Sequence, residues 1–154
     1  MIIIAAMTER RIIGDHDHLP WNIPEEFQAF QDRIRGETVV IGRRSWEIFG
    51  PELTSRHTIV VTRQPNGIHG AHLAHSMDAA CRLAESLGFE TYCAGGEQIY
   101  SEAIELANRM CLSHVKGEFD GDRRFPRFDP QEWEIVREED RPRYVRRELR
   151  RIAG

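Results

Sequence analysis

Residues 19–30 read LPWNIPEEFQAF, from Leu19 and Pro20 through Trp21, Asn22, Ile23, Pro24, Glu25 and Glu26 to Phe27 and Phe30. Pro24 stands where a first helical turn tolerates proline, so a helix is predicted from there to Gly36. Ile23, Phe27, Phe30 and Ile34 follow at steps of four, three and four, giving one apolar stripe. Glu26 lies about 100° from Phe27 around the helix yet one turn from Phe30, so its carboxylate is expected at the border of the buried face, with Glu25 turned to water. A carboxylate beside two phenylalanines is partly desolvated, which raises its pKa and makes its charge costly unless something binds it. A ligand offering two parallel donors would do so. The ordinary reading of Glu26 is a surface acid steadied by the helix dipole. Trp21 and the two prolines favour a pocket wall instead, because they make the approach to the helix stiff and bulky.

The chain on either side alternates strand and helix. Ile2–Met7 is a continuous apolar run, expected of a strand buried on both faces. Residues 8–18 are polar and form a loop before Trp21, a candidate lid. Residues 38–41 make a second buried strand, followed at once by Gly42, Arg43, Arg44, Ser45 and Trp46. A strand, a glycine and a helix start aim free backbone N–H groups at an anion, and two arginines add bidentate donors for phosphate. A third strand at 57–62 ends on Thr62 and Arg63, before a turn at Pro65, Asn66 and Gly67. Ser76 is a candidate N-cap for a helix ending at Gly88. In residues 90–100 a short strand ends on Gly95 and Gly96, where backbone can approach a ligand closely; a tight turn is the competing reading. Residues 109–116 form a strand containing Ser113, Asp120, Gly121 and Asp122 a loop, and 133–137 pair with 144–149 as a terminal hairpin. Such alternation argues for a mostly parallel sheet, with ligands outside the carboxyl ends of its strands.

The chain has 154 residues, 30% charged and 40% hydrophobic, with a net charge of −4. One globular domain over residues 1–154 is expected, and nucleic acid is not the obvious partner. No apolar run has the length of a membrane span, and MIIIAAM is too short for a signal peptide, so the expected place is the cytoplasm. Cys81, Cys93 and Cys111 suggest neither a disulfide framework nor a zinc site. His69, His72 and His75 lack supporting ligands at useful spacing, so no metal is expected.

Six segments in register, IAAMTERRIIG, LPWNIPEEF, VVIGRRSWE, AGGEQIY, LSHV and GDRRFP, carry a resemblance to dihydrofolate reductase over essentially the whole chain. That resemblance implies an α/β fold of three layers, with a mostly parallel eight-stranded sheet, an antiparallel C-terminal hairpin strand and four flanking helices. It implies reduction of 7,8-dihydrofolate by NADPH, with hydride transfer to pterin C6 and a proton to N5. Glu26 resembles the acid that grips the pterin, Ser113 the hydroxyl residue behind it, and Trp21 the tryptophan that holds an ordered water. Ile4, Ala5, Phe27, Phe30, Ile48, Leu53 and Ala94 look like pocket walls, and Arg56 like the arginine for the folate α-carboxylate. Ala6, Ile13, Gly14, Leu19, Gly42, Arg43, Arg44, Ser45, Thr62, Arg63, Gly95, Gly96, Gln98, Ile99 and Tyr100 resemble the cofactor-binding set, with Gly95 and Gly96 at the family's cis peptide. Antifolate-type molecules are implied as ligands and a monomer as the working unit.

Several positions depart from the familiar bacterial pattern. Glu26 stands where many bacterial members have aspartate, and Ala94 where a larger β-branched residue is usual. His16 and His18 on the lid bring possible pH dependence, and Asp122 matches an acid that pins the lid closed. Arg146, Arg147, Arg150 and Arg151 make the last strand unusually basic. Two other readings follow from these residues: a related reductase of the riboflavin pathway, opposed by Trp21, Glu26 and Arg56, and a folate- or RNA-binding module resting on the basic terminus.

Overall fold

Each of the six residues of strand β1 (Ile2–Met7) is apolar because β1 has a strand on either side and helices over both faces. In the computed structural model, which describes residues 1–64 and 66–153, Ile2 and Ile4 pack with Ile34 toward one helical layer. Ile3, Ala5 and Met7 pack with Ala80, Ala84 and Ala103 toward the other. The two-residue period of a strand thus sorts one hydrophobic run into two cores. The remaining elements, in chain order, are β2 (Ile12–Gly14), α1 (Pro24–Ile34), β3 (Thr38–Gly42), α2 (Arg43–Phe49), β4 (His57–Val61), β5 (His72–Ala74) and α3 (Met77–Leu87), then β6 (Thr91–Cys93), α4 (Glu97–Ala103), β7 (Arg109–Val115), β8 (Arg123–Arg124), β9 (Trp133–Asp140) and β10 (Tyr144–Arg151).

Eight strands form one sheet in the order β5-β4-β3-β6-β1-β7-β10-β9. All pairings are parallel except those of β10, which runs antiparallel to both β7 and β9. The expected sheet, with one antiparallel strand from the C-terminal hairpin, is the observed one. Helix α3 begins where predicted, with Ser76 Oγ accepting from Ala79 N at 3.0 Å, and ends at Gly88 with φ +81°. Among the described residues no helix is long and apolar enough to cross a membrane. Pro65, assigned to a turn, lies outside the described residues; Gly67 beside it has φ +84°.

Three expectations need correction. Residues 8–18 are not wholly loop: β2 pairs with β8 in a second, two-stranded sheet, and Asp15 and His18 exchange backbone hydrogen bonds. Strand β5 was not foreseen, since three residues carry no periodicity and its order comes from pairing with β4. The hairpin strands are longer than predicted, because charged residues that break the hydrophobic pattern pair across the strands, as Arg147 does with Glu138.

The small sheet anchors the lid. Gly14 lies so close to Gly121 that a Cβ at position 121 would stand 2.6 Å from Ile12 Cγ2 and collide with the Gly14 carbonyl. Asp122 Oδ1 accepts from His16 N at 2.8 Å. Gly121→Ala is therefore expected to push the two segments apart and speed hydrogen exchange of the His16 amide by about tenfold or more, equivalent to roughly 1.4 kcal/mol of local opening. Amides of β7 in the same sample should keep their protection.

Candidate active site

Glu26 lies in the first turn of α1, and its burial exceeds expectation: it is 7% exposed, whereas Phe27 and Phe30 are only half-buried. The reason is that the two phenylalanine rings, 5.6 Å apart between centroids, face a crevice instead of the sheet. The carboxylate passes beneath them toward β7. There Ser113 Oγ donates to Glu26 Oε2 at 3.3 Å, a long and weak bond. Burial pushes the Glu26 carboxyl above its ordinary range, and the Ser113 hydroxyl and the Arg146 guanidinium pull it partly back. Glu25 does face water, where Arg143 Nε donates to it at 2.8 Å.

An apolar cavity opens over Glu26. Its walls come from β1 (Ile4, Ala5, Ala6), from α1 (Phe27, Phe30) and from Phe49, Leu53, Ala94 and Tyr100. Six of the seven expected walls are therefore brought together. Ile48 is not among them: it opens on the neighbouring cleft, and its chain neighbour Phe49 takes the wall position, 6.4 Å from Phe27 between ring centroids. Phe49 was missed in the sequence. It stands one helical turn after Ser45, and both residues border the two spaces; that i, i+4 relation was the available signal.

The neighbouring cleft has a volume of about 720 Å³. It gathers Ile13, Gly14 and Leu19 from the lid side, Gly42, Arg43, Arg44 and Ser45 after β3, and Gly96, Gln98 and Ile99 at the start of α4. The Gly95–Gly96 peptide is cis, and the Gly95 carbonyl accepts from Gly42 N at 2.7 Å, tying the ends of two strands together. A Cβ on Gly42 would press Ile99 at 3.0 Å and one on Gly96 would press Ser45 at 3.0 Å, so the glycines keep this floor open. Both α2 and α4 have only seven residues, so the donors here are guanidinium groups and backbone N–H groups more than a long helix dipole.

Of the three arginines that line the cleft, Arg123 stands 3.9 Å from Glu97, and Arg43 and Arg44 make hydrogen bonds. Arg44 Nε donates to Asp17 of the lid at 2.9 Å, and its Nη2 bonds the other oxygen of the same carboxylate. Arg43 Nη1 donates to the Asn66 carbonyl at 2.6 Å.

Four expected residues stand apart from these spaces. Arg56 lines neither; its guanidinium lies over the Phe89 ring, 5.1 Å from the centroid. Thr62 and Arg63 follow β4 without reaching the cleft, where Val61 stands instead, and Thr62 Oγ1 accepts from Gln64 N at 3.2 Å. Trp21 is buried behind the wall with Ile23, Val115 and Tyr144, packed against Ala6 and Leu19, and its Nε1 has no partner among the described residues. Tyr100 reaches the inner cavity, and its hydroxyl donates to the Ile4 carbonyl at 2.8 Å.

Asp15, His16 and Asp122 bring possible metal-ligand atoms within 4.8 Å of one another, but each is engaged in lid hydrogen bonds. The three cysteines are free, and burial pushes the Cys93 thiol up to about 12, so it is no nucleophile at neutral pH.

A sequence profile of the family described as "Dihydrofolate reductase" matches residues 1–150. The chain is 32% identical over 137 residues to the dihydrofolate reductase of Bacillus subtilis, covering 88% of this chain and 81% of that protein. With the dihydrofolate reductase of Neisseria meningitidis it shares 35% identity over 141 residues, 90% of this chain and 86% of that one. Among solved structures, dihydrofolate reductase from Enterococcus faecalis complexed with NADP(H) and RAB-propyl superposes with a TM-score of 0.85 at 28% identity, covering 97% of this chain and 95% of the other.

The direction of the Glu26 shift has a consequence for stability. A carboxyl raised in the folded state binds its proton more tightly there than in the unfolded chain, so it favours folding in acid. That contribution is lost as pH rises from the ordinary carboxyl range through the folded value. Glu26→Gln is expected to stabilise the protein at neutral pH, by about 1.4 kcal/mol for each tenfold rise in proton affinity it abolishes, and to leave acid stability nearly unchanged. Thermal unfolding at pH 4 and pH 7.5 measures the difference.

Proposed function

The chain belongs to the dihydrofolate reductase family, and from that premise we propose that the crevice over Glu26 takes 7,8-dihydrofolate and the adjoining cleft takes NADPH. The protein reduces dihydrofolate to tetrahydrofolate with that cofactor. The observation that carries the assignment of residues is a buried carboxylate at the floor of an apolar slot beside a cleft with three guanidinium groups.

Glu26 accepts two parallel hydrogen bonds from a pterin, one from the ring N–H and one from the 2-amino group, which replaces the water lost by burial. Ser113 holds the carboxylate in that orientation. Phe27, Phe30, Phe49, Ile4, Ala5 and Leu53 keep the flat ring in place and exclude bulk water. Ala94 leaves this wall less filled than a branched side chain would. Bound in the cleft, NADPH supplies the hydride that pterin C6 receives. Arg43, Arg44 and Ser45 hold its phosphates and Ile13, Gly14, Leu19, Gln98 and Ile99 line its path, while Thr62 and Arg63, next in the chain after the cleft residue Val61, meet the 2′-phosphate where the cofactor extends past the cleft. The proton for N5 arrives on water, and Glu26 sets the polarity of the ring that receives it. Trp21 offers its indole N–H to an ordered water behind the slot. Arg56 turns from Phe89 to meet the α-carboxylate of the substrate's glutamate.

The reading includes antifolate-type molecules as ligands of the same slot, and a monomer at work in the cytoplasm. A site completed within one chain supports the monomer. The RNA-binding alternative loses its footing because the terminal arginines are engaged: Arg147 with Glu138 at 3.0 Å, Arg150 Nε with Glu134 at 2.9 Å, and Arg151 with Ile104 and Ala107 carbonyls and over the Trp133 ring.

The test follows cofactor absorbance after mixing protein, NADPH and dihydrofolate at several pH values. Rapid oxidation is expected, with Glu26→Gln losing about a hundredfold or more in kcat/KM at neutral pH, the scale of two charge-assisted hydrogen bonds. NADPH binding without turnover would overturn the reading. A second measurement addresses the cleft. Because Asp17 and cofactor phosphate compete for Arg44, Asp17→Asn is expected to tighten NADPH binding about threefold at low salt, and by less as added salt screens these exposed charges.

A further inference from the structure

Of the four arginines that make β10 and its end basic, Arg146 alone makes no ion pair among the described residues, and it points inward. In the antiparallel register of β10 with β7, Arg146 stands opposite Ser113, as Glu148 stands opposite Cys111 and Tyr144 opposite Val115. Directly opposed residues share a face, so these six side chains lie together under α1. Contacts fix which face this is: Arg33 of α1 bonds both Glu148 and Cys111 Sγ, and Tyr144 packs with Trp21 and Ile23 at the start of the helix. Arg146 therefore occupies the layer between α1 and the sheet, beside the hydroxyl that touches Glu26. Its Nε is buried and has no partner among the described residues.

We propose that Arg146 is a positioning residue for the reductase, a guanidinium behind the pterin pocket whose charge holds the Glu26 carboxylate in its anionic, ring-gripping form. The interaction needs no contact, because Coulomb attraction falls only with the first power of distance and both the Glu26 side chain and the Arg146 Nε are buried from bulk solvent. Other groups facing Glu26 supply no competing cation. Ser113 from β7 is neutral. The Tyr100 phenol from α4 is kept protonated by its burial and by the carboxylate itself. On α1, Glu25 is neutralised by Arg143, Arg33 is taken by Glu148, and Asp32 is bonded by Gln28 and Arg35. His114 is directed to the opposite face of β7 by strand parity. Glu139, opposite Arg146 on β9, is bonded by Arg141 and paired with Arg137. That leaves Arg146 without an ion pair of its own among the described residues: its charge acts on Glu139 and Asp32, which hold other partners, and on Glu26, which burial drives toward its neutral state.

The inference rests on Glu26 as the pterin-binding group, and its test is chosen to be readable without turnover. Carbon-13 label in glutamate carboxyls, with the Glu26 resonance assigned by its loss in Glu26→Gln, gives the titration of Glu26 in the intact protein. Arg146→Met, which keeps length and packing but not charge, is expected to raise the proton affinity of Glu26 about three- to tenfold, while Arg146→Lys leaves it near the parent value. Arg146→Gln serves in the same role if the methionine variant does not fold. In steady-state assays the acid-side rise in KM for dihydrofolate should move to higher pH with the resonance, and kcat should change less. An unshifted resonance in the uncharged variant, or a lysine variant shifted as far as methionine, would overturn the proposal. So would a loss of kcat/KM that is uniform across pH. An unshifted kinetic profile beside a shifted resonance would overturn the premise about Glu26 and leave the charge effect standing.

Discussion

A carboxylate held out of water in an apolar slot is a standing electrostatic penalty, and the site is arranged around keeping it there. Helix α1 could bury its stripe against the sheet with an apolar residue at position 26. With Glu26 in that place, the surrounding elements each contribute something to it: a hydroxyl from β7, a guanidinium from β10, and phenylalanine rings from α1 itself that shelter it from solvent. The penalty is the reason the slot discriminates. A flat ring with two adjacent N–H donors relieves it, whereas a ring without them leaves a buried charge unpaired.

The cofactor side follows a different logic. Its glycines remove side chains where backbone must lie open, and Arg44 at its mouth is solvent-exposed, so its ion pair can exchange. Arg44 bridges to Asp17 of the lid, and the lid is in turn fixed by the short sheet of β2 and β8 and by the His16–Asp122 hydrogen bond. Cleft and lid are thus joined through side chains that a phosphate can displace. The slot over Glu26 is built instead from packed apolar walls.

Much of this was readable in the sequence because it arises from local rules. The bounds of β1 and the start of α1 follow from hydrophobic period and proline placement, and α3 is marked at both ends by Ser76 and Gly88. What was not readable depended on pairing across distance. Strand β5 and the β2–β8 ladder are too short to announce themselves, and each exists because a partner strand supplies the hydrogen bonds. Glu26 was placed at the edge of the buried face because helical angle alone cannot tell which neighbours face a sheet and which face a crevice. Ile48 was placed on the slot by resemblance, whereas it opens on the neighbouring cleft and Phe49 lines the slot. Arg56, Thr62 and Arg63 were placed by resemblance; here Arg56 rests on Phe89, and Thr62 and Arg63 lie off the cleft.

Strand β10 comes after every other strand in chain order, yet it is inserted between β7 and β9 instead of lying at the sheet's rim. During synthesis the parallel strands can assemble as they emerge, but the free edge of β7 stays open until residues 144–151 are available to cover it. The same residues carry Tyr144, Arg146 and Glu148, which close the underside of α1. A nascent chain halted before them would hold a partly built sheet with an exposed strand edge and an unsupported Glu26. Completion of the reductase therefore waits on β10, and until that strand pairs the edge of β7 is open to association with other chains.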